Sequence, residues 1–251
     1  MPLTIATWNV NGIRARQAEV QAFLERERPD VLCLQELKAA PEQIPVWLVD
    51  VEGYWSQWHG GKGYSGVALL IRRTVTADAP AFSHPSFDFE HRIVTAELPG
   101  ATVASVYVPN GGKDFDAKLR FLEGLRVMAA AHAADGRPLI LCGDLNVAHR
   151  DIDVHAKELK PGAMGQRDDE RALFDAVLGH GLVDVQRTLH PGEPDLYTWW
   201  PPWRQMRQRN IGWRIDYVLV STSLAAAARS CVAHREVGTS DHGPLIAKFE
   251  V

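Results

Sequence analysis

The chain has 251 residues, 46% of them hydrophobic and 23% charged. That balance excludes a disordered or fibrous chain and is ample for one large core, so a single domain over residues 1–251 is expected. The formal net charge of −4 at pH 7 excludes a globally basic nucleic-acid binder, leaving local patches to carry any contact with a polyanion.

In chain order, residues 3–10 alternate and predict a strand ended by Asn9, Asn11 and Gly12. Residues 14–28 place Ala18, Phe23 and Leu24 at helical spacing, and Pro29 stops that helix. A second apolar strand spans 30–35, with Glu36 at its end. Residues 54–58 and 65–72 predict two strands joined by the turn Gly60-Gly61-Lys62-Gly63. Prolines and weak periodicity predict loop over 74–90, and 92–98 with 102–108 predict a hairpin around Pro99-Gly100. The longest helix is expected over 114–134, where Phe115, Leu119, Leu122, Leu125 and Met128 form the apolar stripe. A strand follows at 139, then polar loop over 147–168 and a helix over 168–178 stopped by Gly179 and Gly181. A short strand near 182, a Trp/Arg-rich loop and strands at 214–220, 230–235 and 245–251 complete the chain. The strand–helix–strand order of 3–35 recurs at 102–143. So many strands with so few long helices predict two sheets packed face to face with helices outside.

Residues 139–146 read Leu-Ile-Leu-Cys-Gly-Asp-Leu-Asn, an apolar run of a strand buried on both faces. Alternation would put Asp144 and Asn146 on one face at its tip. Gly-Asp-x-Asn is equally ordinary turn chemistry, and the segment by itself does not decide. Its company does: Asn9, Glu36, Tyr107 with Asn110, Asp216, and Asp241 with His242 also sit at the ends of apolar strands. If those ends gather at one edge, they assemble carboxylates, carboxamides, a phenol and an imidazole. Such an oxygen-rich set suits a hard cation such as magnesium better than zinc, and metal-assisted hydrolysis of a phosphate ester follows. Asp216 is placed to fix the tautomer of His242. Trp199, Trp200, Trp203 and Trp213, half of the eight tryptophans, are interleaved with Arg204, Arg207, Arg209 and Arg214. Aromatics between arginines suit stacking on bases while holding phosphates, although a tryptophan core with a solvated basic edge would read similarly. The cysteines, Cys33, Cys142 and Cys231, lie in apolar stretches and read as buried thiols of a reducing compartment. No membrane span and no leader is read, so a cytoplasmic protein is expected.

Together these residues resemble the exonuclease III family of abasic-site DNA endonucleases, within the endonuclease/exonuclease/phosphatase superfamily. The resemblance rests on Trp8-Asn9-Val10-Asn11-Gly12, Leu34-Gln35-Glu36-Leu37-Lys38, Gly63-Tyr64-Ser65-Gly66, Tyr107-Val108-Pro109-Asn110, Gly143-Asp144-Leu145-Asn146, Tyr197-Thr198-Trp199-Trp200, Gly212-Trp213-Arg214-Ile215-Asp216 and Ser240-Asp241-His242, in the family's order. It implies a four-layer α/β sandwich and cleavage 5′ to abasic sites, with trimming of 3′ ends. It implies magnesium, with manganese as a substitute, and as partner abasic duplex DNA or a 3′ end, bound by a monomer with no membrane contact. Glu36 would bind the metal, with Asn9 and Asp241 contributing directly or through water. Asp144, helped by Asn146, would activate water, and His242, held by Asp216, would meet the phosphate alongside Tyr107 and Asn110. Trp199, Trp213 and Ile215 would wall the sugar pocket, too small for a base. Two stretches depart from the pattern. Ala163 and Met164 stand where relatives carry an asparagine and a small residue, and Pro201-Pro202-Trp203-Arg204 follows the Trp-Trp pair. They leave three readings open on activity: internal abasic cleavage, preference for 3′ ends, or, more remotely, a lipid or inositol phosphatase. A binding-only relative should lack some of the ligand set, and none is missing.

Overall fold

The computed structural model describes residues 2–250 and contains two six-stranded mixed sheets. The strands are β1 (Pro2–Asn9), β2 (Val31–Gln35), β3 (Tyr54–His59), β4 (Val67–Arg72), β5 (Ala81–Ser83), β6 (Ile93–Leu98), β7 (Ala101–Tyr107), β8 (Leu139–Asp144), β9 (Leu182–Asp184), β10 (Asp216–Ser221), β11 (Ala228–Ala233) and β12 (Leu245–Glu250). The helices are α1 (Ile13–Glu27), α2 (Val46–Val49), α3 (Phe115–Ala134), α4 (Asp168–Leu178), α5 (Val185–Leu189) and α6 (Thr222–Ala225). One sheet runs β11-β12-β1-β2-β4-β3, the other β5-β6-β7-β8-β10-β9.

The central strands are apolar along their whole length because both faces are covered. Ile5, Cys33 and Leu69 of the first sheet pack against Val103, Cys142 and Val218 of the second. On the outer face of the first sheet, Ala6, Leu32, Leu34 and Ala68 lie with Phe23 and Leu24 of α1. On that of the second, Ala104, Leu141 and Leu219 lie with Phe121, Leu125 and Phe174 of α3 and α4. This is the expected four-layer arrangement. All three cysteines are free and buried. Among the described residues no helix is long and apolar enough to cross a membrane.

The two strand–helix–strand units are real. β1–α1–β2 and β7–α3–β8 each end in a parallel pair, and Asp114 caps α3 by accepting from the Ala117 N–H at 2.8 Å. One expectation fails: within 74–90, Ala81–Ser83 pairs with β6 as an edge strand. Three residues are too few for an alternation pattern to register. A second also changes. Asn146 is not in extended backbone but left-handed, with φ 52°. It and Asp144 meet through a turn, not through strand alternation.

Topology brings the chemistry to one edge. Tyr107 is the β-ladder partner of Asp144, and Asp216, opening β10, is the partner of Asp144 on its other side. Asn9 pairs with Gln35, the residue before Glu36. Leu245 pairs with Thr7, which carries Asp241 and His242 to the same end. Gly143 makes the strand fit there: a Cβ would come 1.8 Å from the Val106 carbonyl oxygen, and φ is 151°.

Candidate active site

Asp144 and His242 face each other at this edge, with the His242 Nε2 3.8 Å from the Asp144 carboxylate. Behind the imidazole, Asp216 accepts from Nδ1 at 2.9 Å. Thr198 in turn donates its hydroxyl to the same Asp216 oxygen at 2.6 Å, and its Oγ1 accepts from the N–H of Ile215 and Asp216. A buried chain of hydrogen bonds therefore fixes the ring and leaves Nε2 directed at Asp144. On the other side of Asp144, the Asn9 side-chain amide donates to it at 2.9 Å and to Glu36 at 3.0 Å. The Asn9 side-chain oxygen Oδ1 accepts from the Asn11 N–H, which fixes which way the amide points. Asn146 donates its backbone N–H to one oxygen of Asp144 at 2.9 Å and its side chain to the other at 3.3 Å. Tyr107 donates its hydroxyl to Glu36 at 2.9 Å.

Charge follows from these contacts. Burial pushes the Asp144 carboxyl up to about 7, with the Asp216 and Glu36 charges adding to the effect and His242 opposing it. Burial disfavours the His242 imidazolium, yet Asp216 and Asp144 raise it to about 10. Glu36 is the opposite case: burial is outweighed by hydrogen bonds from Asn9 and Lys38, which hold it below the usual carboxylate range. Burial, with Glu36 and Asp144 beside it, keeps the Tyr107 phenol protonated. Asp241 stays low despite burial, under the His242 charge and hydrogen bonds from Trp199 and Asn11. The arrangement holds a cation against a carboxylate able to gain or lose a proton near neutrality, beside a second, ionised carboxylate.

Ligand atoms of Glu36, Asp144 and His242 all lie within 4.8 Å of one another. With the imidazole protonated, the donors left are oxygens, which fits a hard cation. These groups floor a cleft of about 380 Å³, also lined by Asn110, Met164, Trp199, Trp213, Ile215 and Asp241. Trp199 and Trp213 meet edge to face at 5.6 Å, and the Trp199 indole N–H donates to Asp241 at 3.0 Å. Met164 lines the cleft with its sulfur over Gly111. Every sequence-predicted residue from Asn9 to His242 is thus in or against one cleft, apart from the Trp203 loop.

That loop follows its sequence reading at the tip and departs from it at the base. Trp203 is exposed, at 55%, and so are Arg204 and Arg209. Arg214 has no exposed surface; it pairs with Asp153 and Asp184 and holds no phosphate. Arg207 donates to the carbonyls of Arg235, Ser240 and Val237, clipping the segment before His242 in place. Trp200 is core. Thr198, Lys38 and Asn11 are site residues that had no role from sequence. Lys38 is ion-paired to Glu36 at 2.8 Å, and Asn11 donates to Asp241 at 2.8 Å. All three fall inside the motifs that carry the family resemblance, which was the available signal.

Residues 6–242 match the model of the Endonuclease/Exonuclease/phosphatase family. The chain is 35% identical over 248 residues to an exodeoxyribonuclease of Bacillus subtilis, covering 97% of this chain and 98% of that protein. An AP endonuclease structure from Archaeoglobus fulgidus superposes with a TM-score of 0.88 at 33% identity, covering 99% of this chain and 100% of that one. A 3′ phosphatase from Neisseria, bound to a product DNA hairpin, superposes with a TM-score of 0.90 at 32% identity, over 99% and 100% of the two chains.

Proposed function

The chain belongs to the endonuclease/exonuclease/phosphatase family, and from that premise we propose that it is a DNA repair nuclease hydrolysing the phosphodiester 5′ to abasic sites and trimming 3′ ends. The observation that carries this reading is the apposition of Asp144 and His242 beside Glu36, on the floor of a cleft walled by Trp199, Trp213 and Ile215. A walled cleft fits a sugar without its base, and an extrahelical abasic residue enters at low cost because no base pair is broken.

Each residue then has a part. Glu36, ionised and held by Asn9 and Tyr107, would hold the metal, with Asp241 contributing directly or through water. When bound, magnesium supplies positive charge against the developing negative charge of the phosphate, and manganese substitutes. Asp144, oriented by Asn9 and Asn146, accepts the proton of the attacking water. His242, held protonated by Asp216, presents Nε2–H to a phosphate oxygen and stabilises it as charge builds. Asn110, on the cleft wall, holds another oxygen of that phosphate. Trp203 and Arg204, exposed beside the cleft segment, meet the DNA strand.

A second reading, preference for 3′ ends over internal sites, draws on Met164, a long side chain lining the cleft where the family resemblance implies a small one. The test of the main reading is a duplex with one abasic site, incubated with magnesium and then with chelator. Incision at the site, lost on chelation and restored by metal, is the expected result. An intact duplex at every metal tried would overturn it.

A further inference from the structure

Two charged side chains lie wholly buried behind the cleft wall, apart from the reacting groups. Lys118 stands in the first turns of α3 and Glu170 in the first turn of α4, each with 0% exposure. They form an ion pair. Their other hydrogen bonds go to backbone. The Lys118 ammonium donates to the carbonyls of Asn146 at 2.8 Å and Asn110 at 3.4 Å, which with Glu170 occupies its three protons. The Glu170 carboxylate accepts from the Gly165 N–H at 2.8 Å and 3.1 Å. Asn110, Asn146 and Gly165 come from three separate loops, and all three line the catalytic cleft.

Each tie has a consequence at the cleft. The Asn146 carbonyl is held while its N–H and side chain grip Asp144, and the residue stays left-handed at φ 52°. Gly165 is held against Trp213: a Cβ there would come 3.0 Å from the Trp213 ring and 3.2 Å from the Asn146 carbonyl oxygen. An apolar pair of similar volume would pack α3 on α4 at least as well. It could hold none of the three backbone groups.

We infer that Lys118 and Glu170 are positioning residues of the hydrolytic site, which set Asn146 against Asp144 and so govern turnover. The inference rests on the nuclease reading above. Misplacement by about 1 Å from outside the reacting centre can cost on the order of 10²-fold in rate. The pair touches no substrate, so its loss acts on kcat more than on KM.

The test is the double variant Lys118→Met/Glu170→Leu, which removes both charges together and leaves neither unpaired. It is assayed on abasic duplex well below its melting temperature. A folded variant with kcat lowered at least about tenfold, exceeding any rise in KM, is expected. A packing role would leave kcat untouched once the fold is intact. If the double variant does not fold, Lys118→Arg keeps the charge but moves the donors off the Asn146 carbonyl, and the same fall in kcat is expected. In either folded variant, kcat within about twofold of wild type overturns the inference, by the same reasoning. Wild-type protein inactive on abasic duplex overturns the nuclease reading itself; an active wild type with an equally active variant overturns only the positioning role.

Discussion

At the scale of single residues, the site depends on where Asp144 keeps its proton. Asp144→Asn preserves the shape and, with its one remaining oxygen turned to Asn9, that hydrogen bond, but it gives up the bond from the Asn146 N–H and removes the proton acceptor. Turnover should fall by ~10²–10⁴-fold while binding of abasic duplex persists. A correctly folded variant that keeps most of its activity would take Asp144 out of the role. Met164 is the second residue to test. Met164→Gly removes the side chain packed over Gly111 at the cleft, and cleavage at an internal abasic site should rise relative to removal of a blocked 3′ end. Unchanged relative rates, with the fold intact, would mean that Met164 does not gate the cleft. Most of this chemistry was legible because the residues lie in short ordered motifs at strand ends. The turn at Asn146 was only half legible: Gly-Asp-x-Asn reads both as strand tip and as turn, and the structure makes it a turn that grips the strand-tip carboxylate.

At the scale of elements, the segment 199–214 shows where reading from sequence stops. Four arginines look alike in the chain. Burial separates them, and burial is a property of the packed fold. Arg214 joins Asp153, Asp184 and Arg187 in a charge cluster, with Arg187 2.6 Å from Asp153. Although burial would raise it, Arg214 and Arg187 hold the Asp153 carboxyl below its usual range. A carboxyl lowered in the folded state contributes stability in full above its unfolded value of about 4. That contribution is lost as pH falls through the lowered folded-state value. Asp153→Asn should therefore lower stability at pH 7 by about 3–5 kcal/mol, and the gap from wild type should narrow below about pH 4. A gap that stays constant into acid would contradict this. The exposed part of the segment makes a different prediction. Trp203, stiffened by Pro201 and Pro202, should act as a wedge at the lesion, adding ~1–3 kcal/mol of stacking. Trp203→Ala should weaken binding to abasic duplex more than to single strands. Equal losses on both would assign it to packing alone.

At the scale of the whole molecule, two sheets with helices outside were legible because the central strands are apolar on both faces and the helices carry one apolar stripe each. The edge strand Ala81–Ser83 and the short helices α2, α5 and α6 were not, since three to five residues hold too little periodicity. Convergence of the strand ends was an inference from sequence that depends on register. Pairing of Asp144 with both Tyr107 and Asp216 supplies that register. The fold thus delivers a carboxylate, an imidazolium and an ionised glutamate to one cleft, and the central claim is that they direct water at a phosphorus atom. The most direct measurement is single-turnover cleavage of an abasic duplex in ¹⁸O-labelled water with magnesium present. Hydrolysis forms a bond from water oxygen to phosphorus and breaks the bond to the 3′ oxygen. The expected products are a 3′-hydroxyl end and a sugar 5′-phosphate carrying one ¹⁸O. Strand scission that leaves an unsaturated 3′ aldehyde and no label in the phosphate would contradict it.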